Sequence, residues 1–434
     1  MTQRIKRIIS AVVFVALLVS AICVCAGFLE NKQGYIKYED FFESETNYDV
    51  IFLGTSHMYN SILPMELWKE HGIASYNWAY SNCTPAESYH LIQEIVRYTS
   101  PKLLVLDLYG LVEYEGYENG KYHTDRIEQQ HVQFDELPLS SGKVRAVMDI
   151  FDNYDGNLDF LWNFAIYHNR WSDLEEIDFN YEASPEKGAS MLMGWKKCYF
   201  TPISREQTME IDTVCFSYLL KTMEYCQENG IQLLCVYLPY AAGEKQQKVS
   251  NSVENLIGSY DGCSYVNMLY EDIVDYSVDQ YDYSHLNYMG ACKATSWLGE
   301  YLTEHYDLED HSQDAHWMED YDAYLQYRET LLEKQTSLVG HLLSLWRTSY
   351  RCELEIFDET LANSKAFKKL AGTVSADVII NVQDVPHAAR IVIRDGGDVI
   401  VDRIFYDFND TAYDVMNVAT EMLDAYGNLI EPIQ

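Results

Sequence analysis

Apolar residues along this chain fall into three kinds of run, and each predicts a different element. The first is unbroken: from Ile8 to Leu29 no charged side chain interrupts the sequence, long enough as a helix to cross a hydrocarbon core of about 30 Å. The second kind is short and nearly continuous: "DVIFLG" (49–54), "IASYNWA" (73–79), "KLLVLDLYG" (102–110) and "IQLLCVYLP" (231–239), with a weaker "SYVNML" (264–269). Such runs read as strands buried on both faces, which means a parallel sheet covered by helices. The helices fall between them. Leu63 to Lys69 lies in one, and Pro85 to Tyr98 forms another with Leu91, Ile92 and Ile95 on its apolar face. Ile211, Val214, Cys215, Tyr218 and Leu219 recur at helical spacing before Gly230, a residue suited to a left-handed helix end. The third kind alternates apolar and polar residues in "CELEIFD", "ADVIINVQD" and "ARIVIRDGGDVIVDRIFYDF", with a hairpin expected at Gly396-Gly397-Asp398.

These runs divide the chain into a tail and anchor (1–30), a doubly wound α/β domain (31–305) with an insertion at about 110–205, an acidic and helical connector (306–348) and a small C-terminal β domain (349–434). A helix is expected in the connector from Tyr321 through Trp346. Arg4, Lys6 and Arg7 precede the apolar run and Glu30 follows it, so the positive-inside bias sends the body outward. The expectation is a single-pass protein of the cell membrane with an extracytoplasmic body. A cleaved signal peptide fits less well, because the apolar stretch exceeds the usual ~7–15 residues and lacks a small-x-small site near its end.

Charge narrows the partners. Acidic residues outnumber basic ones 67 to 31, giving −36, which repels nucleic acid and other polyanions gripped through their phosphates. The ten cysteines are scattered, and Cys215, Cys226 and Cys235 fall on apolar positions of a predicted helix and strand, as small buried hydrophobes do. No Cys or His spacing suggests a metal, and no cofactor is expected.

Candidate chemistry sits at the ends of strands, where ligands bind in such sheets. In "GTSHMYNS" Ser56 follows the first strand, as a nucleophile or as a helix cap. Its turn points backbone N–H groups at the site, ready for a developing anion. In "DQYDYSHLNYMG" Asp282 precedes His285 by three residues, and Asn287 is a good N-cap for the helix from Tyr288. One carboxylate can then orient the imidazole while its other nitrogen faces a serine. His57 reads as a solvated or core-capping histidine, with substrate binding as the alternative. His168, Arg170 and Trp171 in "YHNRWSDLEE" could hold a sugar and an anionic group, or lie on an amphipathic helix with Arg170 paired to Asp173 or Glu175. The tyrosines of "YGLVEYEGYENGKY" (109–122) fit glycan stacking or an ordinary loop.

A G-x-S block after the first strand, followed by D-x-x-H just before the last helix of an α/β domain, resembles the SGNH/GDSL hydrolase superfamily over roughly residues 45–305. The anchor, "GTSH" in place of G-D-S and "DYSHLN" resemble its membrane-anchored cell-envelope branch, the DltD-like and alginate O-acetylation-like proteins. The resemblance implies a flavodoxin-like three-layer αβα fold. It also implies a serine esterase or O-acyltransferase acting on a cell-envelope glycan or glycopolymer, with a membrane-bound O-acyltransferase as partner. The family's further oxyanion donors, a glycine and an asparagine, are absent: no glycine lies between Gly72 and Gly110, and "LDLYGL" holds Asp107 and Tyr109. Ser81 or Asn82 of "NWAYSNCTP" would have to substitute. A catalytically silent glycan-binding or scaffold protein is the alternative reading.

Overall fold

The computed structural model describes residues 3–30, 37, 41, 48–113, 117–118, 121–122, 131, 133–135, 137, 139–151, 159–162, 164–179, 184–211, 213–383, 385 and 387–405. Tyr114 of the tyrosine-rich stretch and the end of the last expected strand, 406–408, lie outside them. The apolar run forms one helix, α1 (Gln3–Leu29), with a mean hydropathy of 3.0 over its best window and none of that window buried against the body. By length and composition α1 can span a membrane.

Five strands, β1 (Val50–Leu53), β2 (Ser75–Asn77), β3 (Leu103–Asp107), β4 (Gln232–Tyr237) and β5 (Cys263–Asn267), pair in the order β2-β1-β3-β4-β5. Every pairing is parallel. The near-continuous apolar runs have the predicted cause. Ile51, Leu53, Leu104, Leu106, Leu233 and Cys235 turn into one core with helices α4 (Pro85–Ile95) and α5 (Val214–Asn229). The alternate residues Val50, Phe52, Leu103, Val105, Leu234 and Val236 turn into another with α3 (Pro64–His71) and α6 (Tyr288–His305). Because β2 lies on one side of β1 and β3 on the other, the chain reverses direction across the sheet at β1. A crevice at the carboxyl ends is expected there.

Caps set the helix starts. Thr84 and Glu87 form a reciprocal capping box on α4, Thr213 caps α5, and Asn287 accepts from the Gly290 N–H at 3.1 Å to begin α6. Cys215, Cys226 and Cys235 are buried free thiols, pushed up in pKa first of all by burial.

Two expectations need correction. The connector is two helices, α7 (Ala315–Lys334) and α8 (Leu338–Ser344), because Ser337 caps a new start on the Gly340 N–H at 2.8 Å. The closing segment is α/β rather than β alone. Its sheet runs β9-β8-β6-β7, from β6 (Arg351–Ile356), β7 (Asp377–Ile380), β8 (Ala389–Asp395) and β9 (Asp398–Phe405). β6 and β7 are parallel, and parallel neighbours need a crossover. Helices at Glu359–Asn363 and α9 (Lys365–Thr373) supply it, burying Ala366, Phe367, Leu370 and Ala371. β8 and β9 form the expected hairpin, with Asp395 paired to Asp398 across Gly396-Gly397.

Candidate active site

Gly54 ends β1 with φ +129°. A Cβ there would lie 2.7 Å from the Asp107 Cβ, so glycine alone lets β1 and β3 approach at this turn. The short helix α2 (Ser56–Ser61) follows. Thr55, not Ser56, is its cap: the Thr55 hydroxyl accepts the His57 N–H at 3.2 Å and donates to Asp107 Oδ2 at 2.7 Å. Asp107 also accepts the Tyr109 N–H at 3.0 Å. Burial pushes the Asp107 carboxyl up to about 6, against those hydrogen bonds.

The Ser56 hydroxyl is thereby left for another partner. Its Oγ lies 2.8 Å from His285 Nε2, across 229 residues of sequence. His285 Nδ1 lies 3.0 Å from each Asp282 carboxylate oxygen. Asp282 Oδ1 further accepts the Ser284 and His285 N–H groups at 2.7 and 2.8 Å. Burial raises the Asp282 carboxyl, but the His285 ring and these N–H donors outweigh it and hold the group below the ordinary carboxylate range. The carboxylate therefore stays ionised beside Nδ1, which favours Nδ1–H and leaves Nε2 as the acceptor facing the serine.

The loop carrying Asp282 and His285 is clamped from several sides. The Tyr281 N–H donates to His285 O at 2.9 Å, and the Asn287 amide donates to Val278 O at 2.8 Å. Beneath it Lys293 of α6 reaches both oxygens of buried Asp279, at 2.7 and 2.6 Å. The end of the insertion straps across the whole site. Lys187 O accepts the Asn77 N–H at 3.0 Å, the Ser190 N–H donates to Tyr59 O at 2.9 Å, and the Lys196 N–H donates to Gln280 O at 2.9 Å. Gly188 at φ +80° is required there, since a Cβ would stand 2.1 Å from Asn77 O. This strap and the Lys293–Asp279 pair carry no sequence signal, because both join residues far from each other's periodic pattern.

The remaining candidates divide. His57 is 2% exposed, with its ring stacked on Tyr109 at 3.6 Å, edge-on to Tyr240 at 4.8 Å and 5.2 Å from the His285 ring. Burial first, then the nearby His285, holds it well below its ordinary pKa; it is a neutral wall of the site. Ser81 and Asn82 lie on the turn after Tyr80, whose N–H donates to Gly54 O at 3.1 Å. That bond brings the turn beside the end of β1 that carries Ser56, and Asn82 adopts φ +55°. Arg170 is elsewhere. Its guanidinium is taken by Asp178, at 2.9 and 2.7 Å, and by the carbonyls of Leu29 and Glu30, so neither Asp173 nor Glu175 is its partner. Among the described residues no cluster of His, Cys, Asp and Glu could hold a metal. No protein-family model matches the chain, and no curated protein matches it.

Proposed function

We propose that this chain is an extracytoplasmic serine esterase or O-acyltransferase of SGNH/GDSL type, acting through an acyl-serine on acyl esters of a cell-envelope glycan or glycopolymer. The observation that carries this reading is the hydrogen-bonded series from Ser56 Oγ through His285 to Asp282, at 2.8 and 3.0 Å. Its place at the carboxyl end of β1, where the chain reverses across the sheet, supports it. In the first half-reaction Ser56 Oγ attacks an ester or thioester carbonyl while His285 Nε2 takes its proton. The carbonyl carbon bonds to Oγ, and the donor's C–O or C–S bond breaks as His285 returns the proton to the leaving group. In the second half the acceptor hydroxyl gives its proton to His285 Nε2 as its oxygen bonds to the acyl carbon; the acyl carbon–Oγ bond breaks, and His285 returns the proton to Ser56 Oγ. Water as acceptor makes an esterase; a sugar hydroxyl makes a transferase. The oxyanion falls to the Ser56 N–H, which begins α2 and is not needed by that helix, and to a donor of Ser81 or Asn82 on the turn after Tyr80.

A fluorophosphonate probe should label the protein, and Ser56→Ala should remove the label. Labelling that persists in that variant sinks the reading. A silent glycan-binding module is the second reading, supported by Asp107, which stands where the family offers a donor and here accepts from Thr55 and Tyr109. Hydrolysis of p-nitrophenyl acetate that His285→Ala abolishes favours the enzyme. Glycan retention in both proteins with turnover in neither favours the module.

A further inference from the structure

The uncharged run Ile8–Leu29 covers about 33 Å as a helix, against a hydrocarbon core of about 30 Å. If α1 spans the bilayer, its last residues therefore lie at the outer hydrocarbon boundary. At that level the insertion returns to the helix. The short helix Phe164–Tyr167 packs along α1, and Phe179 stands edge-on to Phe28 at 5.2 Å. Arg170 donates to Leu29 O and Glu30 O at 2.9 and 2.8 Å, satisfying carbonyls that the helix itself leaves open. Asp178, whose side chain is fully buried, holds the guanidinium there.

Around this junction the surface is aromatic. Trp162 is 54% exposed, Trp171 71%, Phe179 59% and Phe28 44%, and Trp162 leans on Phe164 at 5.7 Å. The chain has eight tryptophans, and these two are the exposed ones. We propose that this aromatic collar is a membrane seat: Trp162, Trp171 and Phe179 enter the headgroup boundary of the bilayer that α1 spans and fix the body against it. Amphipathic aromatic rings favour that depth, and the collar is continuous with the one segment whose end must lie there. Exposed Asp173, Glu175 and Glu176 flank Trp171, so the contact is one of rings with zwitterionic lipid and needs no anionic headgroup. The proposal rests on α1 being a membrane span and deepens that reading.

The test uses the full chain reconstituted in phosphatidylcholine vesicles whose lipids carry bromine either near the headgroup or near the bilayer centre. Tryptophan emission should be quenched by the shallow bromines more than by the deep ones, and that quenching should be lost in Trp162→Phe/Trp171→Phe. If the double variant fails to fold, the depth profile of the native chain decides alone. Quenching at neither depth, or quenching unchanged in a folded variant, overturns the collar and leaves those rings to water or to a protein partner. Resistance of the chain to carbonate extraction separates the two claims. Extraction of the chain overturns the span and the collar together, whereas a retained but unquenched chain overturns only the collar.

Discussion

Thr55 and Ser56 stand side by side with different duties. The Thr55 hydroxyl is committed to the helix start and to Asp107, which leaves Ser56 Oγ to His285. Asp282 likewise has two roles, accepting backbone N–H groups that shape its loop and accepting from the imidazole. Asp282→Asn separates them. An amide oxygen still accepts the backbone donors, while the amide NH2 cannot accept from Nδ1–H and favours the wrong tautomer. We expect turnover to fall by about 10^3- to 10^4-fold, with the urea midpoint nearly unchanged; a comparable loss from unfolding would show in the same titration. His57 is held neutral by burial, so its ring packs between Tyr109 and the His285 ring as an uncharged group.

At the scale of elements, two buried carboxylates make stability depend on pH. Glu87 closes the α4 capping box, and burial, opposed by its Thr84 hydrogen bonds, pushes it up to about 8. Its pKa is raised on folding, so its favourable contribution is complete below about 4.5 and is lost as pH rises through about 8. Glu87→Gln keeps an acceptor for the Thr84 N–H and removes that dependence. Relative to the native chain the variant should gain roughly 2–5 kcal/mol at pH 9 and little at pH 4, measured by urea unfolding at both. Asp279 anchors the loop beneath the site, with burial raising it and Lys293 opposing. Lys293→Met leaves that carboxylate without its cation. We expect a loss of about 3 kcal/mol at pH 8 and a smaller one at pH 5, with Asp279→Asn/Lys293→Met recovering most of it.

Across the whole molecule the C-terminal unit braces the loop that carries Asp282 and His285. Val278 and Met289 lie in its core with Leu354, Ile391 and Phe367. Lys369 of α9 pairs with Asp275 and donates to Ser277 at 3.2 Å, so the start of the loop is held from the far unit. Buried Glu66 of α3 ties the centre together, accepting from Tyr288 and Tyr324 at 3.0 Å each and pairing with Arg347 at 3.0 Å. Under the proposed function, the net charge of −36 acts at this scale on substrate choice. Long-range repulsion is screened within about 8–10 Å at physiological salt. Turnover of an acylated polyanion should therefore rise as salt increases from about 10 mM to about 150 mM, while hydrolysis of p-nitrophenyl acetate stays level. Equal salt responses for both would remove charge from the account of specificity.

Periodicity along the chain was enough to place the strands of the parallel sheet, the bodies of α4, α5 and α6 and the long apolar helix, because burial of each element is written in its own residues. Of the caps at those helix starts only Asn287 of α6 was legible, and α5 begins at Val214 behind Thr213 rather than at Ile211. It also placed Ser56 at a strand end and Asp282 with His285 on one loop, since turn and capping residues act within a few positions. Only the tertiary structure decided what meets what. The 2.8 Å contact across 229 residues, the strap at 187–196, the stacking of His57 on Tyr109 and the choice of Asp178 for Arg170 depend on the path of the chain in space. The crossover between β6 and β7 was written locally in Asp358, Ser364 and the Ala366–Ala371 pattern, but the alternating runs on either side masked it. Local sequence sets which face of an element is apolar, whereas contacts between distant elements follow from packing those faces together, and a single element carries no record of its partner.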